Sequence, residues 1–134
     1  MSSAWIEPVP DTHRTSSQRG APGGRRTPSA DVRQALVDAA VSVLERDGYA
    51  GLTVRAVAVE AGVAPMGVYN HFAGKPGLVA AVLGRGFDGL TAAVTPPVGL
   101  AAGDRLRACG IGYRRFALAN PVTYTLMFGR PPEP

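Results

Sequence analysis

The chain has 134 residues, of which 46% are hydrophobic and 18% are charged, and its formal net charge is +4. This composition fits one small folded domain with additional segments. With one Cys and two His, the chain cannot form a structural zinc site or a disulfide framework, and no nucleophile stands at catalytic spacing from an acid–base pair. We therefore predict that the protein is not an enzyme, with no catalytic residues, no bound metal and no cofactor.

Signals for export or membrane insertion are not evident in the sequence. No stretch has the charged start and short apolar run of a signal peptide, and none reads as a span of about 20 apolar residues. We therefore expect a cytoplasmic protein with no membrane partner.

Residues 1–29 are predicted to form a disordered, basic arm. This segment is rich in Pro, Gly, Ser and Thr, and no apolar residues recur in it at helical spacing. Its four arginines outnumber two acidic residues, which gives a formal charge of +2. Such an arm adds nothing to a packed core.

Apolar residues first recur at helical spacing after the arm. A helix is predicted to begin at Ser29 or Asp31, either of which can cap it, and to end at Gly48. Its buried face is expected to hold Val32, Leu36, Ala39 or Ala40, and Val43. This helix opens a predicted domain over residues 30–92.

Two short helices joined by a tight turn are predicted next. The first covers residues 53–61 with Thr53 as its cap, and Gly62 supplies the positive φ that a sharp turn needs. Pro65 then opens a second helix over residues 65–72. A short glycine turn between two steeply crossed helices is typical of a helix-turn-helix, whose second helix enters the major groove of DNA. The alternative is an ordinary antiparallel helix pair in an all-α core.

Three further helices complete a predicted all-α fold. The fourth is expected over residues 76–90, and three glycines weaken its far end. A fifth helix is predicted over residues 104–119. Asn120 and Pro121 then provide a cap and a first helical residue for a sixth helix. We assign these last two helices to a second region, residues 98–134.

Four short motifs follow one another within residues 31–90. They read DGYAGLTV at 47–54, AVEAGV at 58–63, VYNHF at 68–72 and GKPGL at 74–78. Together they resemble the DNA-binding domain of TetR-family transcriptional regulators. The resemblance implies a three-helix, homeodomain-like helix-turn-helix domain, a linking fourth helix and the start of a truncated helical regulatory segment.

The resemblance also implies a DNA-binding surface, and the chemistry of its residues supports that role. The start of the recognition helix offers only van der Waals contacts and backbone groups, so few bases would be read there. Hydroxyl, imidazole and ammonium groups around it can donate to phosphate oxygens. The residues predicted to bind DNA are Thr53, Arg55, Pro65, Met66, Gly67, Tyr69, Asn70, His71 and Lys75.

Two of these residues can read bases directly, and others have structural alternatives. Arg55 matches the O6 and N7 acceptors of guanine, and Asn70 can read adenine or simply be solvated. His71 can instead be a partly buried histidine bonded to a backbone carbonyl, and Tyr69 can belong to the core. Lys75, like Arg55, would by itself be an ordinary solvated charge.

One position departs from the pattern of the family. Ala64 lies just before the recognition helix, where Ser or Thr is common, so this helix lacks a side-chain cap. The missing cap should lower its stability by about 0.5–2 kcal/mol.

We predict a sequence-specific DNA-binding transcriptional regulator, a repressor that binds a palindromic operator as a dimer. Helix-turn-helix proteins commonly contact two half-sites roughly 34–36 Å apart. Arg25 and Arg26 would follow the DNA backbone or enter the minor groove, unless the arm is only a solubilising tail. Net charge adds little, because residues 31–85 hold five basic and five acidic residues.

The second region is short for this family, in which further helices enclose an effector pocket and pair two subunits. A small-molecule effector is therefore expected only with a complete regulatory domain. We expect either a truncated regulator or a short form that dimerises through uncovered apolar residues, namely Phe116, Tyr124, Leu126, Met127 and Phe128. The alternative function is a helical interaction module that heterodimerises with a full-length regulator without tight DNA binding of its own.

Overall fold

The computed structural model describes residues 28–129. The predicted arm up to residue 27, including Arg25 and Arg26, and the last five residues of the second region lie outside the described residues. Between residues 28 and 129 the chain forms six helices and no strand: α1 Ser29–Gly51, α2 Val54–Ala61, α3 Pro65–Tyr69, α4 Gly74–Val94, α5 Ala102–Ala119 and α6 Pro121–Phe128. The backbone of α1 breaks at Gly48, the predicted end of this helix, whose φ is 72°. The predicted all-α fold is confirmed.

One apolar core joins the first four helices. Each helix turns a face of aliphatic residues inward at the spacing that an amphipathic helix requires. Burying each such side chain stabilises the fold by about 1.5–3 kcal/mol before the entropy cost is counted. The largest fully buried side chains are Leu36, Val43 and Leu44 of α1, Leu52 after it, Val57 of α2, Val68 of α3, and Leu78 and Val82 of α4.

The ends of α2 and the start of α3 lie where the sequence predicted them. Thr53 Oγ1 accepts a hydrogen bond from the backbone N–H of Ala56 at 3.1 Å, which caps α2. Gly62 ends α2 with a φ of 68°, in the left-handed region that favours glycine. Pro65 is the first residue of α3, as predicted.

The recognition helix α3 is shorter than predicted. It ends at Tyr69, although the prediction extended it to residue 72. The backbone nonetheless stays coiled, because the N–H of His71 and that of Phe72 both bond to the Val68 carbonyl, at 3.0 and 2.9 Å. Hydrogen bonds between residues three and four apart occur together where many helices tighten at their ends.

Two exposed ion pairs connect α1 to its neighbours. Arg46 donates to Glu60 of α2 at 2.8 Å, and Arg85 of α4 pairs with Asp38. The hydrogen bond to Glu60, and then that to Asp47, raises the pKa of Arg46 above its ordinary value. Because water screens both pairs, they orient side chains more than they stabilise the fold.

Two of the three glycines near the end of α4, Gly86 and Gly89, are contact points, which corrects the prediction of a frayed end. The helix continues to Val94 instead of weakening before residue 90. A Cβ at Gly86 would lie 2.7 Å from Met127 Sδ, and one at Gly89 would lie 3.1 Å from the Phe116 ring. Close packing by α5 and α6 therefore offsets the low helix propensity of glycine.

Most of the apolar residues expected to be uncovered in the second region are partly covered. Leu126 packs on the core, and the Tyr124 ring lies 4.9 Å from the Phe128 ring. Phe116 and Met127 lie against the glycines of α4. Of the five residues, only Phe128 remains mostly exposed. These five residues are therefore less exposed than predicted, and dimerisation through them stays a prediction.

The helix α5 presents the uncovered apolar residues instead. None of its residues is buried, and Leu106, Ile111 and Leu118 are 76%, 50% and 64% exposed. The Cys109 thiol, which is half-buried, donates to the Val94 carbonyl at 3.1 Å, so the cysteine contributes to the contact with α4. These three side chains of α5 thus have no cover among the described residues.

By length and composition alone, α4 is apolar enough to cross a membrane. This differs from the sequence reading, which found no such stretch. The helix packs against α1, α5 and α6, and 17% of its apolar stretch is buried by the described residues. The cytoplasmic location stays a prediction.

We expect Ala64→Ser to raise the melting temperature. Ala64 holds the N-cap position of α3 with a φ of −71° and a ψ of 151°, and no side chain caps this helix. A serine hydroxyl there can accept from an unpaired N–H of the first turn and add about 1 kcal/mol. Ala80→Ser, on the exposed side of α4, is the control and should not stabilise, because Ser forms helices less readily than Ala. Circular dichroism melting measures the melting temperature of both variants. An unchanged melting temperature for A64S would contradict the position of Ala64 as the N-cap of α3.

We expect Gly112→Ala to destabilise the protein. A Cβ at Gly112 would overlap the backbone carbonyl of Ala93 in α4, whereas a Cβ at Gly110 would meet nothing within 4 Å. Separating the helices to relieve the overlap should cost about 1–3 kcal/mol. Gly110→Ala is the matched control and should stabilise α5 slightly. Urea unfolding curves compare the two, and equal stabilities would contradict the close approach of α4 and α5.

Candidate nucleic-acid interface

The start of α2 carries two of the predicted residues on the molecular surface. Thr53 is exposed, and its oxygen accepts the capping bond, so its hydroxyl proton remains available to donate to a phosphate. Arg55 is also exposed, and among residues 28–129 it makes no ion pair and no side-chain hydrogen bond. Val59, four residues later on the same helical face, is 76% exposed. The outer face of α2 is therefore free to meet a partner.

The accessible start of α3 is apolar. Met66 is 68% exposed and Pro65 is exposed, while Val68 on the opposite side is fully buried. Gly67 is half-buried, and a Cβ there would lie 3.6 Å from Val63. As predicted, residues 65–67 carry no side chain that can donate a hydrogen bond.

The end of α3 exposes polar tips. Tyr69 is 56% exposed, so the alternative that places it in the core is wrong. Asn70 is exposed at the C-cap of the helix. The His71 ring is half-buried and tilted against Phe72, with 6.5 Å between ring centroids. No backbone carbonyl accepts from the imidazole among the described residues.

Lys75 has a structural contact that the sequence did not suggest. Its Nζ donates to the Tyr49 carbonyl at 2.8 Å and lies 4.1 Å from the centroid of the Tyr49 ring. A positive charge suits the free carbonyls at the end of a helix such as α1. An ammonium has three donors, so two remain for the predicted phosphate contact.

The basic side chains of the helix-turn-helix region differ in how they are engaged. Arg33 lies over the Phe72 ring at 4.7 Å, Lys75 holds Tyr49, and Arg46 and Arg85 are ion-paired. Residues 28–99 contain five basic and six acidic residues, so this region has no excess of positive charge. Among the described residues, Arg55 is the basic residue of this region that makes no side-chain hydrogen bond, ion pair or cation–π contact.

Two exposed residues of this surface were missed by the sequence reading. Val59 is 76% exposed, and Val63, in the turn beside Gly67, is 37% exposed. Helical spacing gave a usable signal for Val59, because it lies one turn after the outward-facing Arg55. No comparable signal marked Val63, since a residue in a tight turn belongs to no periodic face.

Comparison with known proteins connects this geometry to a family. Residues 36–82 match the family model of bacterial regulatory proteins of the tetR family. Uncharacterized HTH-type transcriptional regulators of Mycobacterium tuberculosis and Mycobacterium bovis are each 38% identical to the chain over 82 residues. The match covers 61% of this chain and 38% of each relative. The chain therefore spans well under half the length of the curated relatives it matches.

Solved structures share this fold. A protein with unknown function from Rhodococcus sp. RHA1 is 32% identical with a TM-score of 0.63, over 84% of this chain and 58% of that one. A Lactobacillus plantarum protein described as a transcription regulator is 24% identical with a TM-score of 0.55, over 71% of this chain and 55% of that one. The second likeness concerns the fold alone. Over residues 36–82, the helix-turn-helix region of this chain is therefore similar to the TetR family of bacterial regulatory proteins.

Proposed function

We propose that this chain binds double-stranded DNA through the outer face of α2 and α3 and regulates transcription. The observation that carries the proposal is the exposed, unpaired Arg55, in a region whose other basic side chains contact the protein itself. A guanidinium in this position has five donors to offer to a guanine edge or to phosphates. A regulator of this family is not expected to be an enzyme.

Neutral donors supply the rest of the proposed contacts. The Thr53 hydroxyl, the exposed tip of Tyr69 and the remaining donors of Lys75 lie on or next to the two helices. Such groups fix the register of a protein on the phosphate backbone without reading sequence. Base reading would then fall to Arg55, to Asn70 and to the start of α3.

We further propose repression at a palindromic operator by a dimer, in the bacterial cytoplasm. One helix-turn-helix covers one half-site, so tight binding needs a second copy about one turn of DNA away. We do not place the dimer contact between the α5 helices of two copies. Each α5 carries four Arg against one Asp, so two of these helices would repel each other. A small-molecule effector belongs to this proposal only for a form with a complete regulatory domain.

A second candidate function rests on the uncovered side of α5. Ile111 and Leu118, seven residues apart on one side of α5, are 50% and 64% exposed, and exposed apolar faces of this kind mark protein–protein contacts. The chain would then act as a helical module that heterodimerises with a longer regulator. Light scattering gives the mass of the chain alone, and DNA binding measured at the same concentration separates the two candidates.

We expect Arg55→Ala to weaken DNA binding about tenfold or more, because a bidentate arginine contact is worth about 1–3 kcal/mol. Arg107→Ala is the matched control, since Arg107 is an exposed arginine on α5. Fluorescence anisotropy with a duplex selected from a random pool measures affinity, and melting curves check that both variants fold. Equal affinities of R55A and R107A would contradict the proposed interface.

We expect affinity to fall with salt. If a dimer makes about six ion-releasing phosphate contacts, log affinity should decline against log salt concentration with a slope near −5. Anisotropy titrations between about 50 and 200 mM salt measure the slope. A flat response would mean that neither Lys75 nor Arg55 neutralises a phosphate.

A further inference from the structure

The exposed start of α3 has an unusual composition for a surface that reads bases. Pro65, Met66 and Gly67 carry no side-chain N–H or O–H group, and the Met66 thioether is only a weak acceptor. Met66 is nevertheless 68% exposed, and Val63 beside Gly67 is 37% exposed. A flexible, polarisable methionine in this place can adapt its shape to an apolar partner.

The major groove of DNA offers one apolar group to such a surface. Guanine presents two acceptors, adenine an acceptor and a donor, cytosine a donor, and thymine an acceptor next to its C5-methyl group. An apolar side chain against guanine, adenine or cytosine would remove water from these polar groups without replacing their hydrogen bonds. Against the thymine methyl it buries apolar surface at no such cost.

Gly67 provides an independent observation. Its φ is not in the left-handed region, so the backbone does not require glycine there. A Cβ would meet Val63 at 3.6 Å, an ordinary contact, so packing does not require glycine either. Glycine in a helix is destabilising, and no contact within the described residues compensates for it. A close approach of the α3 backbone to DNA would account for the missing side chain.

We propose that Met66 recognises the C5-methyl group of thymine, and that Gly67 lets α3 come close enough for this contact. The operator would then carry thymine at the positions that face the start of α3. This inference rests on the proposed DNA binding and adds the base that this surface selects. Arg55 would contact a different base pair of the operator.

The test uses the full chain and duplexes that it selects from a random pool. Each thymine is replaced singly by deoxyuridine, which lacks only the methyl group, and affinity is measured by anisotropy. We expect about a fourfold loss at one or two positions of each half-site, the effect of one buried methyl group. Replacing such a thymine by cytosine, paired with guanine, should also lower the affinity. With 5-methylcytosine in place of cytosine, the methyl group is restored and part of that affinity should return.

Protein variants connect that loss to its residues. For Met66→Ala, replacing thymine by deoxyuridine should cause no further loss of affinity. For Met66→Leu, which keeps an apolar side chain, the same replacement should still lower the affinity. Gly67→Ala should raise the melting temperature and yet weaken binding to every selected duplex severalfold. A variant that binds less while folding more stably cannot owe its loss to misfolding.

The outcomes separate this inference from the function beneath it. One outcome is that selected duplexes bind, with lower affinity for R55A, while deoxyuridine changes the affinity at no thymine. In that case the proposed thymine recognition is wrong and the proposed DNA binding stands. The same conclusion follows if M66A and the wild-type chain lose equally on deoxyuridine. If the chain retains no duplex from the pool, the proposed function itself fails.

Discussion

The interface depends on one constraint, the glycine turn that holds α3 against α2. Gly62 adopts a φ of 68°, and the N–H of Val63 bonds back to the Ala58 carbonyl at 2.9 Å. Val57 and Val68, on either side of the turn, are fully buried. Because these faces are fixed inward, the opposite faces of both helices must lie outward. The exposure of the candidate DNA contacts follows from this packing.

Electrostatics supports the proposed interface through placement and not through total charge. The described helix-turn-helix region has slightly more acidic than basic residues, whereas α5 holds four Arg against one Asp. Judged by charge alone, α5 would be the better surface for a polyanion. Lys75, Arg46 and Arg85 are used to join helices. Arg55 is left free, and specificity would come from apolar and neutral groups around it.

Local chemistry made much of this fold predictable. The Thr53 cap, the Gly62 turn and the start of α3 at Pro65 follow from backbone rules that act within four residues. The role of the glycines in α4 was not predictable, because the side chains they accommodate come from α5 and α6. Lys75 and Arg55 looked alike in the sequence, and only the position of Tyr49, 26 residues before Lys75, distinguishes them. The base contacts themselves remain a proposal.

The most direct test of the central claim is to map the DNA footprint on the protein by two-dimensional NMR of the uniformly ¹⁵N-labelled chain. Adding a selected duplex at increasing salt separates specific contacts from weak attraction. We predict that the largest amide shifts fall at residues 53–55 and 65–71 and persist at higher salt, while α5 changes little. Shifts concentrated on the arginines of α5, with α2 and α3 unmoved, would contradict it.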